Sequence, residues 1–129
     1  MAASNRPDVL SLVVYSGAYD KVHYALVLAS SALALGSRAT LFFTMDACQA
    51  LLSPEPSGTP AWRRLPLAQS TAKGFPDGGA MDDDFKRHRL ADFEQLLAAC
   101  VELGVRVIVC ELGLKARGLA ASDLRSDVP

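Results

Sequence analysis

The chain has 129 residues, 50% of them hydrophobic and 21% charged, with a formal net charge of −1. This is enough apolar material for one compact domain over residues 1–129, and the near-neutral charge leaves no basic field for a phosphate backbone, so nucleic acid is excluded as the expected partner. The longest apolar stretch, residues 24–36, is broken by serines and falls short of the ~20 residues of a bilayer span, the opening MAASNRPD lacks a signal peptide's basic-then-apolar order, and three cysteines without a CxxC pair read as free thiols, so a reducing, cytoplasmic location is expected.

VLSLVVYSG, residues 9–17, is apolar and β-branched between Pro7 and Gly17, the pattern of a buried parallel strand. A helix follows, with Asp20 as its expected N-cap, Val22, Leu26, Ala29 and Leu33 on one stripe, and Gly36 as its stop. Its other faces are apolar too, which predicts cover from a second surface such as another subunit. RATLFFT (38–44) reads as the second strand, and DACQALL (46–52) starts a second helix. From Ser53 to Asp84 the composition turns to Pro, Gly, Ser and Asp, a long loop excursion in which Trp62 is the residue placed to dock back. The acidic run Asp82 to Asp84 reads as the cap region of a helix over Phe85 to Gly104, with Leu90, Phe93, Leu97 and Cys100 or Val101 on one face. VRVIVC (105–110) is the third strand, LGLKARGL is a short helical stretch, and Ser122 or Asp123 opens a last turn.

Strands alternating with helices argue for an α/β sandwich with a mainly parallel sheet. In such sheets chemistry gathers beyond the carboxyl ends of the strands. Three segments lie there, YSGAYDK, TMDACQ and CELGLK, so Cys48 and Cys110 share one rim. A thiol between a strand end and a helix start can meet free N–H groups that favour thiolate, and Lys115 and Arg117 add positive potential while Glu111 opposes it. Periodicity alone favours a buried cysteine finishing an apolar strand. Asp46 with Gln49 three residues on is a capping-box variant that would put Cys48 near a helix start, as a second, resolving thiol or as packing. Cys100 falls inside the third helix's stripe and reads as core. His23 and His88 lack companions at metal-ligand spacing, so no metal site is expected. No G-x-G-x-x-G or G-K-[ST] appears, so no nucleotide cofactor is expected either. Lys86, Arg87, His88 and Arg89 read first as a solvated helix face and second as a docking patch for an acidic partner.

The opening strand with its long apolar helix, the LFFT strand, and above all LLAACVELGVRVIVCELGLKARGL resemble the DsrE/DsrF-like family of small sulfur-relay proteins, which includes the TusD-type acceptors. The resemblance covers about Val9 to Leu52 and Leu90 to Leu124. It implies a three-layer α/β sandwich and a carrier that takes sulfane sulfur as a persulfide on Cys110, the position matching the family's acceptor thiol, and passes it to a partner thiol. It further implies sulfur donor and acceptor proteins as partners, a homotrimer or hexamer, and no cofactor. Family members continue past the short helix into a further strand, and SDVP stands where that strand would begin. The sheet is therefore expected to be one strand short at the C-terminus unless the sequence ends early, with an edge for another subunit to cover. The rival from a different class is a non-catalytic subunit or small-ligand binding module on the same fold, with Cys110 buried and inert.

Overall fold

A computed structural model describes residues 9–68 and 74–127. Strands β1 (Val9–Val14), β2 (Arg38–Phe43) and β3 (Arg106–Val109) form a sheet in that spatial order. Every pairing is parallel, with Leu12 opposite Leu41 and Leu41 opposite Val107. Helices α1 (Tyr19–Ala34), α2 (Gly78–Arg87), α3 (Phe93–Leu103) and α4 (Glu111–Ala116) complete a three-layer α/β sandwich, with helices on both sides of the sheet.

One sheet face carries the core. Val14, Ala39, Leu41, Phe43 and Val107 are buried there, together with Tyr19, Val22, Leu26 and Ala29 of α1 and Phe93, Leu96, Leu97 and Cys100 of α3. Each fully buried Leu or Phe in that set contributes roughly 1.5–3 kcal/mol of transfer free energy. The opposite face is only partly covered, and Val13 there is 70% exposed. Among the described residues no strand follows β3; the chain instead makes one antiparallel bridge, Leu124 to Leu52.

Several local expectations are corrected by tertiary partners. Asp20 does not cap α1: the N-cap is Ala18, without a side-chain cap. The Pro66 carbonyl accepts the Tyr19 N–H at 2.8 Å, and the Asp20 carboxylate accepts the N–H of Ala68. Residues Met45–Leu51 wind as a 3₁₀ segment rather than an α-helix, with Thr44 and not Asp46 at its N-cap position.

The 53–84 stretch is not loop throughout. It holds a 3₁₀ turn at Ala61–Arg64 and the first turns of α2. Trp62 does dock: it is buried, stacks on Phe93 at 4.7 Å, and donates its indole N–H to Glu94 at 2.6 Å. Asp77, not the acidic run, caps α2. Asp82 lies inside that helix, fully buried, where it accepts from the Tyr19 hydroxyl at 2.5 Å and the Phe93 N–H at 2.7 Å. A carboxylate that reads as part of a helix cap in the sequence thus ties α1, α2 and α3 together through one oxygen, while its other oxygen is buried without a hydrogen-bond partner among the described residues.

The helix expected over Phe85 to Gly104 is two helices. Arg89 takes a left-handed backbone, φ 58°, and Leu90 is 55% exposed instead of sharing the buried stripe. Asp92 then restarts the chain with a capping box: its carboxylate accepts from Gln95 N–H at 2.9 Å, and the Gln95 side chain accepts from Asp92 N–H at 3.2 Å. Asp92→Ala is expected to cost about 1 kcal/mol, read as a lower urea midpoint at an unchanged slope. A variant as stable as the parent would show that the box does not hold α3.

Candidate functional site

The three strand-end segments converge at the sheet's carboxyl edge. The first approaches the second so closely that a Cβ on Gly17 would lie 2.9 Å from the Asp46 Cβ. The second meets the third at Gly113, where a Cβ would lie 2.5 Å from the Met45 nitrogen and 2.7 Å from the Thr44 hydroxyl oxygen. Arg117 reaches back to Asp46 at 3.2 Å. Met45 leaves β2 in a left-handed conformation, φ 52°, which costs a non-glycine residue about 1 kcal/mol and is the kind of strain that collects at functional sites.

Cys110 sits at the centre of this convergence. Its N–H donates to the Phe43 carbonyl at 2.8 Å, which continues the β3 to β2 pairing up to the thiol, and Cys110 itself is the N-cap of α4. The residue is partly exposed, unlike the buried Cys48 and Cys100, so the fully buried cysteine of the rival reading is not what the fold presents. The thiol makes no capping hydrogen bond of its own. Its thiolate is nevertheless favoured: the Gly113 N–H first, then the Thr44 hydroxyl and the Leu112 N–H, hold its pKa below that of an ordinary thiol, against partial burial and, less, the charge of Glu111. Neither expected cation points at the sulfur. Lys115 pairs with Glu111 at 3.2 Å and Arg117 with Asp46.

Cys48 lies in the 3₁₀ segment behind this rim and is fully buried. Burial raises its pKa first, and the charge of nearby Cys110 raises it further, so the fold brings the two thiols within electrostatic reach but opposes ionising both. Cys100 is core, as its stripe predicts; burial pushes it up to about 11, and its thiol donates to the Leu26 carbonyl. His23 faces Phe85 at 4.8 Å and the Ala91 carbonyl at 3.0 Å, and His88 bonds the Asp84 carbonyl within its own helix turn. Among the described residues no group of three or more His, Cys, Asp or Glu gathers as a metal site would, and no helix is long and apolar enough to cross a membrane.

Thr44 is the site residue that sequence reading missed. As the last residue of an apolar strand it carries no signal by spacing; only the β2 to β3 register brings it beside Cys110. The chemistry available here is that of one partly exposed thiol with a lowered pKa, and Cys48 buried behind it. An alkylating reagent is expected to label Cys110 alone in the folded protein and all three cysteines in denaturant. The rate should rise with pH through a midpoint below that of an ordinary thiol, because the thiolate is lost as pH falls through a lowered pKa. Labelling of Cys48 at a comparable rate would contradict the burial described.

These features define a small parallel α/β protein with a partly exposed free cysteine at the carboxyl edge of its sheet. The model of the DsrE/DsrF/DrsH-like family matches residues 7–129, and the chain belongs to that family. It is similar to the sulfur carrier protein DsrE2 of Allochromatium vinosum, at 28% identity over 120 residues that cover 80% of this chain and 74% of the relative. It is also similar to the uncharacterized protein YrkE of Bacillus subtilis, at 25% identity over 134 residues covering 92% and 82%.

Proposed function

We propose that the protein is a cytoplasmic sulfur carrier of a persulfide relay, with Cys110 as the acceptor thiol. The observation that carries this reading is the partly exposed Cys110 at the N-cap of α4, set beside the β2 exit by its N–H bond to the Phe43 carbonyl, in a chain of a sulfur-relay family. The Cys110 thiolate attacks the outer sulfur of a donor persulfide, forming the Cys110 S–S bond as the donor's S–S bond breaks and the donor leaves as thiolate. A partner thiolate then attacks the outer sulfur of the Cys110 persulfide and restores the Cys110 thiolate. Each step is thiol exchange, so no outside oxidant or reductant and no cofactor is needed.

Donor groups around the sulfur serve both steps, because they stabilise the thiolate that attacks in the first and leaves in the second. Glu111, Arg117 and exposed Leu112 surround it as the surface a donor or acceptor protein meets. Cys48, the candidate second thiol, stays protonated in this reading and supports the site by packing. The unspent apolar surface of α1 and β1 supports a homo-oligomer, a trimer or hexamer being the assembly the family resemblance implies. Intact-protein mass spectrometry after exposure to inorganic polysulfide tests the reading. One adduct of about 32 Da, a single sulfur atom, reversed by dithiothreitol, is expected; no adduct on the folded protein would overturn it.

A further inference from the structure

We propose that Thr44 decides which sulfur of a loaded Cys110 is attacked: its hydroxyl stabilises Cys110 as the leaving thiolate, so that an incoming thiol takes up the outer sulfur instead of expelling it as sulfide. This rests on the persulfide reading of Cys110 and adds a specificity-determining residue to it.

Thr44 meets Cys110 across the sheet. Phe42 lies opposite Ile108 and Phe43 opposite Val109, and the Cys110 N–H on the Phe43 carbonyl carries the pairing one step further. Thr44 therefore stands level with Cys110 on the neighbouring strand, about 5 Å away between backbones. Phe43 and Val107 are buried in the core, so by the two-residue period Thr44 and Cys110 both project from the other face. The Thr44 backbone is fixed at both ends: its N–H donates to the Val14 carbonyl at 3.0 Å, and its carbonyl accepts from the Ala47 N–H at 3.2 Å. The residue occupies the N-cap position of the Met45–Leu51 segment, where a threonine ordinarily gives its hydroxyl oxygen to a backbone N–H, yet it makes no such cap. The hydroxyl turns instead to α4. A Cβ on Gly113 would lie 2.7 Å from its oxygen and 3.1 Å from the Thr44 Cα. Among the described residues Cys110 is the partner this hydroxyl serves.

A Cys110 persulfide can react at either sulfur. An acceptor thiolate that attacks the outer sulfur becomes a persulfide, and the S–S bond to Cys110 breaks with Cys110 leaving as thiolate. The same thiolate on the inner sulfur forms a mixed disulfide with Cys110 and expels HS⁻. Both are thiol exchange without oxidant or reductant, but only the first moves sulfane sulfur. The choice follows the leaving groups, because the better-stabilised anion leaves faster. Negative charge develops on the inner sulfur when Cys110 leaves and on the outer one when sulfide leaves, so a donor fixed on the inner sulfur favours the first. An uncharged hydroxyl held one strand away acts on that sulfur alone, whereas the cations of the rim are turned to carboxylates, Lys115 to Glu111 and Arg117 to Asp46.

Single-turnover transfer to glutathione tests this on the full chain. The protein is loaded with inorganic polysulfide, freed of excess, mixed with equimolar glutathione, quenched with an alkylating reagent, and read by intact-protein mass at early times. The parent should return mainly as the capped Cys110 thiol. Thr44→Val keeps the shape of the side chain and the backbone bonds to Val14 and Ala47, so the fold is kept. It should slow the return to thiol about tenfold, the effect of losing one hydrogen bond to a charged group, and raise the share of Cys110–glutathione mixed disulfide by a similar factor. Thr44→Ser, which restores the hydroxyl, should bring both back toward the parent. A Thr44→Val chain with the parent's product ratio, whatever its rate, or a Thr44→Ser chain that behaves as Thr44→Val, would overturn the proposal and leave Cys110 as the carrier. A parent chain that takes up no sulfur would overturn both readings.

Discussion

Cys110→Ser is expected to remove sulfur loading entirely, while Cys100→Ser and Cys48→Ser keep it. A serine hydroxyl at this position meets the same Gly113 N–H and Thr44 hydroxyl, but it ionises far outside the physiological range and cannot carry a sulfane sulfur. The surviving thiols cannot substitute. Cys48 and Cys100 are fully buried, and burial raises the pKa of each. The Cys110→Ser chain should fold and melt like the parent, since the residue is only half-buried, so the loss is read as chemistry and not as unfolding. Loading that survives in Cys110→Ser would remove Cys110 from the relay.

Gly113→Ala should have the next largest effect, and its sign is informative. Inside an ordinary exposed helix, alanine is favoured over glycine by about 1 kcal/mol. Here the new Cβ would stand 2.5 Å from the Met45 nitrogen and 2.7 Å from the Thr44 hydroxyl oxygen. Backbone at that distance cannot be passed by a rotamer change, and overpacking of this kind costs typically 1–3 kcal/mol or more. The strained Met45 backbone gives little room for relief. We therefore expect a net loss of stability, a fall of several degrees in Tm. The Cys110 alkylation midpoint should rise at the same time, because α4 and the Thr44 turn would be pushed apart and the thiolate would lose its two leading donors. A more stable Gly113→Ala variant with unchanged Cys110 reactivity would show that α4 does not press on the β2 exit.

The strands were legible in the sequence because apolar β-branched runs bounded by Pro7, Gly17 and Gly104 have few alternatives to a buried parallel strand. The stop of α1 was legible for a similar reason: Gly36 takes φ 88°, a conformation glycine adopts at little cost. The start of α1 was not, because the acceptor for its first N–H is a carbonyl at Pro66, far along the chain. The break between α2 and α3 was encoded in DFEQ, a capping box, yet apolar periodicity runs through it from Phe85 to Leu97 and masks the left-handed turn at Arg89. Asp82 defeats composition-based reading altogether, since a carboxylate is buried only where tertiary donors exist, and these come from Tyr19 and Phe93.

At the site, Cys110 and its position on the rim follow from the third strand and the short helix after it. The source of its acidity does not. Lys115 and Arg117 look like the activating charges, but each is held by a carboxylate, and an uncharged threonine one strand away stands closer in effect than either. A local sequence window cannot show this, because the β2 to β3 register that aligns Phe43 with Val109 sets Thr44 beside Cys110.

The central claim is that this one thiol carries the sulfur, and peptide mapping of the loaded protein tests it most directly. The folded chain is exposed to inorganic polysulfide, freed of excess, capped with an alkylating reagent, and digested before mass spectrometry. The account predicts that the added sulfur lies on the peptide containing Cys110, with the Cys48 and Cys100 peptides unmodified. Sulfur found on the Cys48 or Cys100 peptide, with Cys110 recovered as a plain capped thiol, would contradict it.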